Sequence, residues 1–257
     1  MGVPVHPNRP HVAGVRVESG AELTADLVVD AMGRRSQLPR WLDAIGAPPV
    51  LEDEEDCGFL YFGRHFRSAD GAMPPLRSGL LTAAGTISIL TLPADNGTWG
   101  VGLVTSAKDA ALRKLSDADV WARVVGSYPL AAHWLDGEPI DDGVAVMAKI
   151  EDRHRTFVID DQPVATGVLA LADSWAATNP SVGRGISIGA IHAVALRDLL
   201  HDKPSDPVET ARRWHALTME RVEPWYRGTL AFDRGRLDEI HAILEDRPLD
   251  PEPEDEM

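Results

Sequence analysis

The chain is short of cysteine and of positive charge, and it has no long apolar run. Cys57 is the only cysteine in 257 residues. No intramolecular disulfide can form, and no thiolate metal cluster can be built. A lone thiol of this kind reads as reduced and part-buried, which fits a cytoplasmic location. Lys and Arg total 25 against 40 Asp and Glu, a net charge of −15. That balance argues against nucleic acid and anionic membranes as partners. No apolar stretch approaches the ~20 residues of a membrane span. Met1 to Pro10 lack the apolar core of a signal peptide, and no internal repeat is visible. Hydrolytic signatures are missing as well. There is no Gly-x-Ser-x-Gly elbow and no phosphate-binding Gly-Lys-Ser/Thr, and none of the nine histidines forms a pair such as His-x-x-x-His. No metal-ligand set and no acid–base residue is nominated.

What is present is a normal globular composition, with 44% apolar residues and a length that suits one large or two modest domains. The chain is organised around residues 168–186. Val168 to Ala172 is an apolar run that reads as a buried, parallel strand. Asp173 stands where the strand ends. A turn with Asn179, Pro180, Gly183 and Gly185 follows, with Asn179 or Ser181 as a capping candidate. A helical pattern then begins with Ile186, Ile188, Ala190, Ile191, Val194, Ala195 and Leu199. In open α/β sheets, ligands sit beyond the carboxyl ends of strands, near helix N-termini. A carboxylate there accepts a ligand hydroxyl. Glycines let backbone approach a flat or anionic group closely. First-turn N–H groups carry partial positive charge and stabilise negative charge on a bound group.

Ala-Asp-Ser followed by Asn-Pro-Ser-Val-Gly-Arg-Gly-Ile resembles the second flavin-binding motif of FAD-dependent monooxygenases and reductases, the superfamily of aromatic hydroxylases, geranylgeranyl reductases and flavin-dependent halogenases. The resemblance implies that Asp173 binds the ribityl chain of FAD. It also implies that Gly183, Arg184, Gly185 and Ile186 face the pyrimidine edge of the isoalloxazine, where the helix start stabilises the anionic reduced flavin, and Pro180 of the same motif is a further cofactor-binding candidate. Ala172 stands where the family usually has Gly, a small change if φ there is negative. Further upstream, Leu27 to Val29 leads into Asp30-Ala31-Met32-Gly33, which is similar to the family's Asp-Ala-Thr-Gly turn, with Met32 in place of Thr. This adds Asp30 and Gly33 as cofactor-binding candidates; a structural turn acid is the other reading of Asp30. Arg34, Arg35 and Arg40 read as solvated surface charge.

A complete member opens with strand–Gly-x-Gly-x-x-Gly–helix, and no such unit follows an N-terminal strand here. The sequence therefore reads as a C-terminal part of the family. The expected fold is α/β: an incomplete Rossmann-like FAD-binding domain (1–46 and 161–203), an inserted, mainly antiparallel substrate-domain sheet (47–160), C-terminal helices (204–244) and an acidic disordered tail (245–257).

Met1 to Pro10 reads as a loop, and His11–Val17 with Glu22–Val29 as a hairpin turning at Ser19-Gly20. Ser36 reads as the cap of a short helix ended by Gly46, and Glu52 to Asp56 as a linker or exposed loop. Strands are expected at 58–67, 85–92, 98–104, 143–150 and 156–160, with Asp95-Asn96-Gly97 as a hairpin turn. Helices are expected at 107–115, 117–125 (capped by Ser116), 130–135, 207–221 and 225–244, with a kink at Pro224. Tyr61, His65, Trp99 and Met147 are candidate pocket residues, with core packing the plainer reading of each. Arg64 and Arg67 read as solvated strand-edge charge, although they suit an acidic substrate.

The resemblance implies an FAD-dependent oxidoreductase acting on a small organic molecule, with NAD(P)H as an electron donor to test. The absent halogenase signature Trp-x-Trp-x-Ile-Pro argues against that branch. Two other readings stay open. One is a non-catalytic remnant or subunit that pairs with a separate N-terminal nucleotide-binding half; the other is an unrelated α/β binding protein.

Overall fold

In the computed structural model, the described residues are 2–6, 9–202, 204 and 206–249. They fall into two compact units, Met1–Glu55 with Glu151–Ala231, and Asp56–Ile150 with Phe232–Met257. Both mix helices with sheets that are mostly antiparallel. Among the described residues no helix is long and apolar enough to cross a membrane, and no group of three or more His, Cys, Asp or Glu is placed to hold a metal.

The first unit is built around a parallel pair of short strands, Val28–Asp30 and Val168–Ala170. The apolar run at 168–170 is fully buried, as expected of a strand covered on both faces. Gly2–His6 pairs with Arg9–Val12, so a hairpin stands where a loop is expected; Met1, Pro7 and Asn8 lie outside the described residues. A second hairpin pairs Gly14–Arg16 with Glu22–Thr24. It stops short of Val28, so residues 22–29 form two strands rather than one. Helix α1 (Leu38–Ala44) follows, with Pro39 in its first turn.

Leu51–Asp56 is a strand, not a loop. It joins a sheet with Glu151–Thr156 and Ala176–Ala177. Arg153 and Arg155 reach its alternate acids Glu54 and Glu52 at 2.8 and 3.4 Å. Val158–Ile159 pairs with Gln162–Pro163 across a tight turn.

In the second unit, a sheet runs Glu138–Pro139, Phe59–Arg67, Thr98–Ser106, Ile87–Pro93, Leu81–Ala84, with Ala145–Met147 also on Phe59–Arg67. Ala94 meets Thr98 across a three-residue loop, Asp95–Gly97, in which Asn96 and Gly97 take left-handed φ of 53° and 65°. Trp99, Val101 and Leu103 alternate into one face with Phe62 and Phe66. Helix α2 (Ala118–Gly126) covers that face with Trp121 and Val125. Its cap is Asp117, whose carboxylate accepts the N–H groups of Asp119 and Val120, and not Ser116, which ends the preceding 3-10 turn Ala111–Ser116. The expected helix at 107–115 is only that turn, and the expected one at 130–135 is the 3-10 turn Ala132–Leu135. Cys57 is buried in this unit.

Helices α3 (Gly185–His201), α4 (Pro207–Arg221) and α5 (Glu223–Glu245) complete the chain. Asp206 caps α4 by accepting from Val208 and Glu209 N–H. The chain breaks at Val222, which leaves Pro224 in the first turn of α5, where a missing N–H costs little. Of the expected tail at 245–257, Glu245 is the last residue of α5, and residues 250–257 lie outside the described residues.

Candidate functional site

The parallel register sets Val168, Leu169 and Ala170 beside Val28, Val29 and Asp30. Both motif turns therefore emerge at the same end of the same strand pair. Ser174 joins them. Its hydroxyl accepts the Gly33 N–H at 2.8 Å and donates to Asp30 Oδ1 at 3.3 Å. Asp30 is 5% exposed. It also accepts the Met32 N–H at 3.0 Å and the Ser36 hydroxyl, and Ser36 accepts the Leu38 N–H at 3.0 Å. Ser36 thus ties α1 to Asp30, while Gln37 occupies the cap position without a side-chain bond.

Asp173 is the opposite case. It is exposed, and among the described residues its carboxylate accepts no hydrogen bond. A Cβ on Gly33 would lie 3.9 Å from Asp173 Cβ, so the two motifs are in van der Waals reach.

Beyond Asp173, Pro180–Val182 forms a 3-10 turn closed by Gly183 at φ +64°, with the Gly183 N–H on Pro180 O at 3.0 Å. Glycine is the residue that reaches this conformation without strain. Arg184 then occupies the N-cap of α3 and supplies no side-chain cap. Asn179 stands at the N-cap of the 3-10 turn without a side-chain cap bond; it is buried with its N–H on Asp152 Oδ1 at 2.6 Å. The residue at the N-cap of α3 thus gives its first-turn N–H groups no side-chain acceptor. A Cβ on Gly183 or Gly185 would meet nothing within 4 Å, and Ile186 is 91% exposed. Ile186 therefore does not belong to the core stripe of α3, which is His192, Ala195 and Leu199. The Arg184 guanidinium lies 5.8 Å from the Trp225 ring centroid.

Ala172 has φ +53°. Its substitution for the glycine of the motif is therefore not the small change expected for a negative φ, because a Cβ in the left-handed region costs about 1–2 kcal/mol. The strained peptide is held by His192, whose Nδ1 accepts the Ala172 N–H at 3.0 Å. A main-chain N–H can only donate, so Nδ1 carries the lone pair and Nε2 the proton, which is shared with Thr218 Oγ1 at 2.9 Å. His192 is fully buried, stacked on Trp214 at 4.3 Å and edge-on to Trp175. Burial pushes its pKa down to about 4. Trp214 Nε1 in turn donates to Ala170 O at 3.1 Å. None of these residues stands out in the sequence; no nearby residue marks His192 as a partner of position 172.

Arg34 is not solvated surface charge. Its guanidinium donates to the carbonyls of Glu151 and Thr178 at 2.8 and 2.9 Å. Arg155, 2% exposed, donates to Ser174 O at 3.0 Å. These arginines brace the two motif turns. His154 lies edge-on to Trp175 at 4.8 Å and stacks with Tyr226 at 5.4 Å. Burial lowers the His154 pKa, and burial together with Asp152 raises that of Tyr226 to about 12. In the second unit, Tyr61 and Trp99 are buried packing residues, and Met147 is exposed. His65 Nδ1 meets Asp141 Oδ2 at 2.8 Å. Arg64 lies 5.8 Å from the Trp121 and Phe66 ring centroids, and Arg67 is exposed.

Structures of the Klebsiella pneumoniae protein HpxO, complexed with FAD and uric acid, match 89% of this chain and 56% of that one, at 16% identity and a TM-score of 0.61. PqsL of Pseudomonas aeruginosa, described as a probable FAD-dependent monooxygenase, matches 91% of this chain and 63% of its own at 15% identity and a TM-score of 0.63. The flavin-dependent halogenase BrvH of a Brevundimonas species matches 97% and 46%, at 16% identity and a TM-score of 0.62. The chain has the fold of FAD-dependent monooxygenases and halogenases. At these identities the likeness is one of fold. Among curated proteins, Protein Rv3254 of Mycobacterium tuberculosis is 28% identical over 194 residues, 71% of this chain and 38% of that protein. No family model matches. The chain thus spans less than two thirds of the length of each of these relatives.

Proposed function

We propose that this chain forms part of the flavin site of an FAD-dependent oxidoreductase, of the monooxygenase or reductase type, that acts on a small organic molecule. One observation carries this reading: an exposed carboxylate, Asp173, with no donor among the described residues, stands beside the start of α3, whose N-cap Arg184 supplies no side-chain cap, at the C-terminal end of a parallel strand pair. The donor set suits the cofactor. Asp173 accepts from ribityl hydroxyls. The amides that open at Gly183, Gly185 and Ile186 donate to the carbonyl-rich pyrimidine edge, with Pro180 and Arg184 flanking it. Gly33 and Asp30 line the adjoining turn, with Asp30 acting through the bonds that shape it. FAD, when bound, supplies the redox chemistry. The residues of this chain orient it and stabilise negative charge on its ring. The first unit is the flavin-binding part and the sheet of the second unit the substrate-binding part.

A second reading has its own support. Val28 N–H donates to Gly167 O, and Leu171 N–H to Asp30 O, both at 2.9 Å. Val28 and Asp30 therefore face the neighbouring strand, and the N–H and C=O of Val29 point to the other edge, where no described strand pairs. Val29 is 40% exposed. An open edge of a parallel sheet accepts a further strand. On this reading, a separate nucleotide-binding half with the Gly-x-Gly-x-x-Gly turn adds there and completes the FAD site.

The test is a titration of the purified chain with FAD, followed by flavin fluorescence and by melting temperature, since a ligand of the native state raises apparent stability. Saturable binding at micromolar FAD supports the first reading. Binding that appears only when a nucleotide-binding half is co-expressed supports the second. No binding in either case removes both.

A further inference from the structure

Residue 172 carries a methyl group in a conformation that disfavours one. Such strain persists only where the surroundings over-determine it. The surroundings here are specific. A Cβ on Gly189 of α3 would lie 3.4 Å from Ala172 Cβ, so the helix runs close beneath the turn. The Ala172 carbonyl accepts the Trp175 N–H at 2.9 Å, and its own N–H goes to His192 at 3.0 Å. His192 is itself fixed on all sides: Trp214 stacks on it, Trp175 meets it edge-on, and Thr218 takes its Nε2 proton. The residue so held is the one immediately before Asp173, whose carboxylate accepts no hydrogen bond among the described residues.

We propose that His192 is the positioning residue of Asp173: by accepting the Ala172 N–H it holds the left-handed peptide that presents the Asp173 carboxylate outside the protein. For its ligand this inference rests on the flavin reading above; for its geometry it does not. His192 is buried and touches no ligand. It acts through the main chain at position 172.

The test uses the full chain labelled with 15N at alanine and aspartate. His192→Phe keeps a ring against Trp214 and removes the acceptor. His192→Asn sets an amide oxygen near the Nδ1 position. Adding Ala172→Gly to His192→Phe supplies a residue that adopts the left-handed conformation unaided. If His192→Phe does not fold, His192→Gln, which keeps a polar contact to Thr218 and displaces the acceptor, takes its place. In His192→Phe the amide signals of Ala172 and Asp173 move, and exchange of the Ala172 N–H speeds up about tenfold or more, as expected for one lost hydrogen bond. Both effects revert in His192→Asn; in the double variant the Asp173 signal returns, while the N–H of residue 172 still has no acceptor at position 192. FAD affinity falls about tenfold in His192→Phe and recovers to within about threefold in the double variant, although that variant melts below the wild type.

If affinity merely follows melting temperature, with no recovery on Ala172→Gly, the proposal is overturned. Unchanged amide signals in His192→Phe overturn it as well. A wild-type chain that binds no FAD overturns the flavin reading alone, and the amide signals then decide the positioning role by themselves.

Discussion

Ala172 donates its main-chain N–H to Nδ1 of the buried His192 at 3.0 Å, and that bond fixes both the tautomer of the histidine and the strained conformation of the alanine. The chain thus holds a left-handed alanine between its central strand and the exposed Asp173, whose carboxylate accepts no hydrogen bond among the described residues. Neither the strain nor its compensation is local, because the ring comes from α3 and the ring's other partner, Thr218, from α4.

Ala172→Gly should stabilise the chain. Relief of the left-handed Cβ is worth about 1–2 kcal/mol, and the extra freedom of glycine in the unfolded state returns about 0.4–1 kcal/mol of that. The expected net gain is about 0.5–1 kcal/mol, read as a rise in urea midpoint at constant slope. A lower midpoint would mean that the alanine methyl on Gly189 contributes more packing than its backbone strain costs.

Stability should fall as pH drops from about 6.5 towards 4. Burial holds the folded His192 at about 4, below the ordinary histidine value of 6.5, so over this window the unfolded chain binds the proton and the folded chain does not. The contribution is full above the unfolded value and is lost on acidification, by at most about 3 kcal/mol for the whole shift. Burial also lowers His154 and His215, which add slope of the same sign. Urea midpoints across this range should therefore flatten, but not become level, in His192→Phe. An unchanged slope in the variant would assign the acid sensitivity to the other two.

The parts of this fold that were legible in the sequence are those whose causes are local. Val168–Ala170 is a buried strand because three consecutive side chains are apolar, and Asn96-Gly97 turns because both residues tolerate positive φ. The 52–56 acids mislead for the converse reason. Five carboxylates in a row repel in isolation, but Arg153 and Arg155, some hundred positions along the chain, neutralise alternate members and let a strand form. The two motif acids look alike in sequence, each after an apolar strand and before a glycine. They differ because Ser174, 144 positions from Asp30, donates to the one and not to the other.

Ser174→Ala should destabilise the first unit by about 1–3 kcal/mol. It leaves the Gly33 N–H without its acceptor and removes a donor from the buried Asp30 carboxylate. Asp30→Asn should be costly for the same reason, since three protein donors converge on that carboxylate. Both losses should appear in thermal or urea unfolding with no ligand present. Near-wild-type stability of Asp30→Asn would mean that its bonds are easily replaced, and would return Asp30 to the pool of direct ligand contacts.

Asp173→Ala should do the reverse. The side chain is exposed and has no donor among the described residues, so its removal should move stability by no more than about 0.5 kcal/mol. If it holds a ribityl hydroxyl, the lost bond to a charged acceptor is worth about 1.5–3 kcal/mol, or roughly a 10- to 150-fold weaker affinity for FAD. Riboflavin should lose as much as FAD, because the affected contact lies on the part that the two ligands share. A variant with unchanged stability and unchanged flavin affinity would take Asp173 out of the site. The open start of α3 would then have to hold the ring without it.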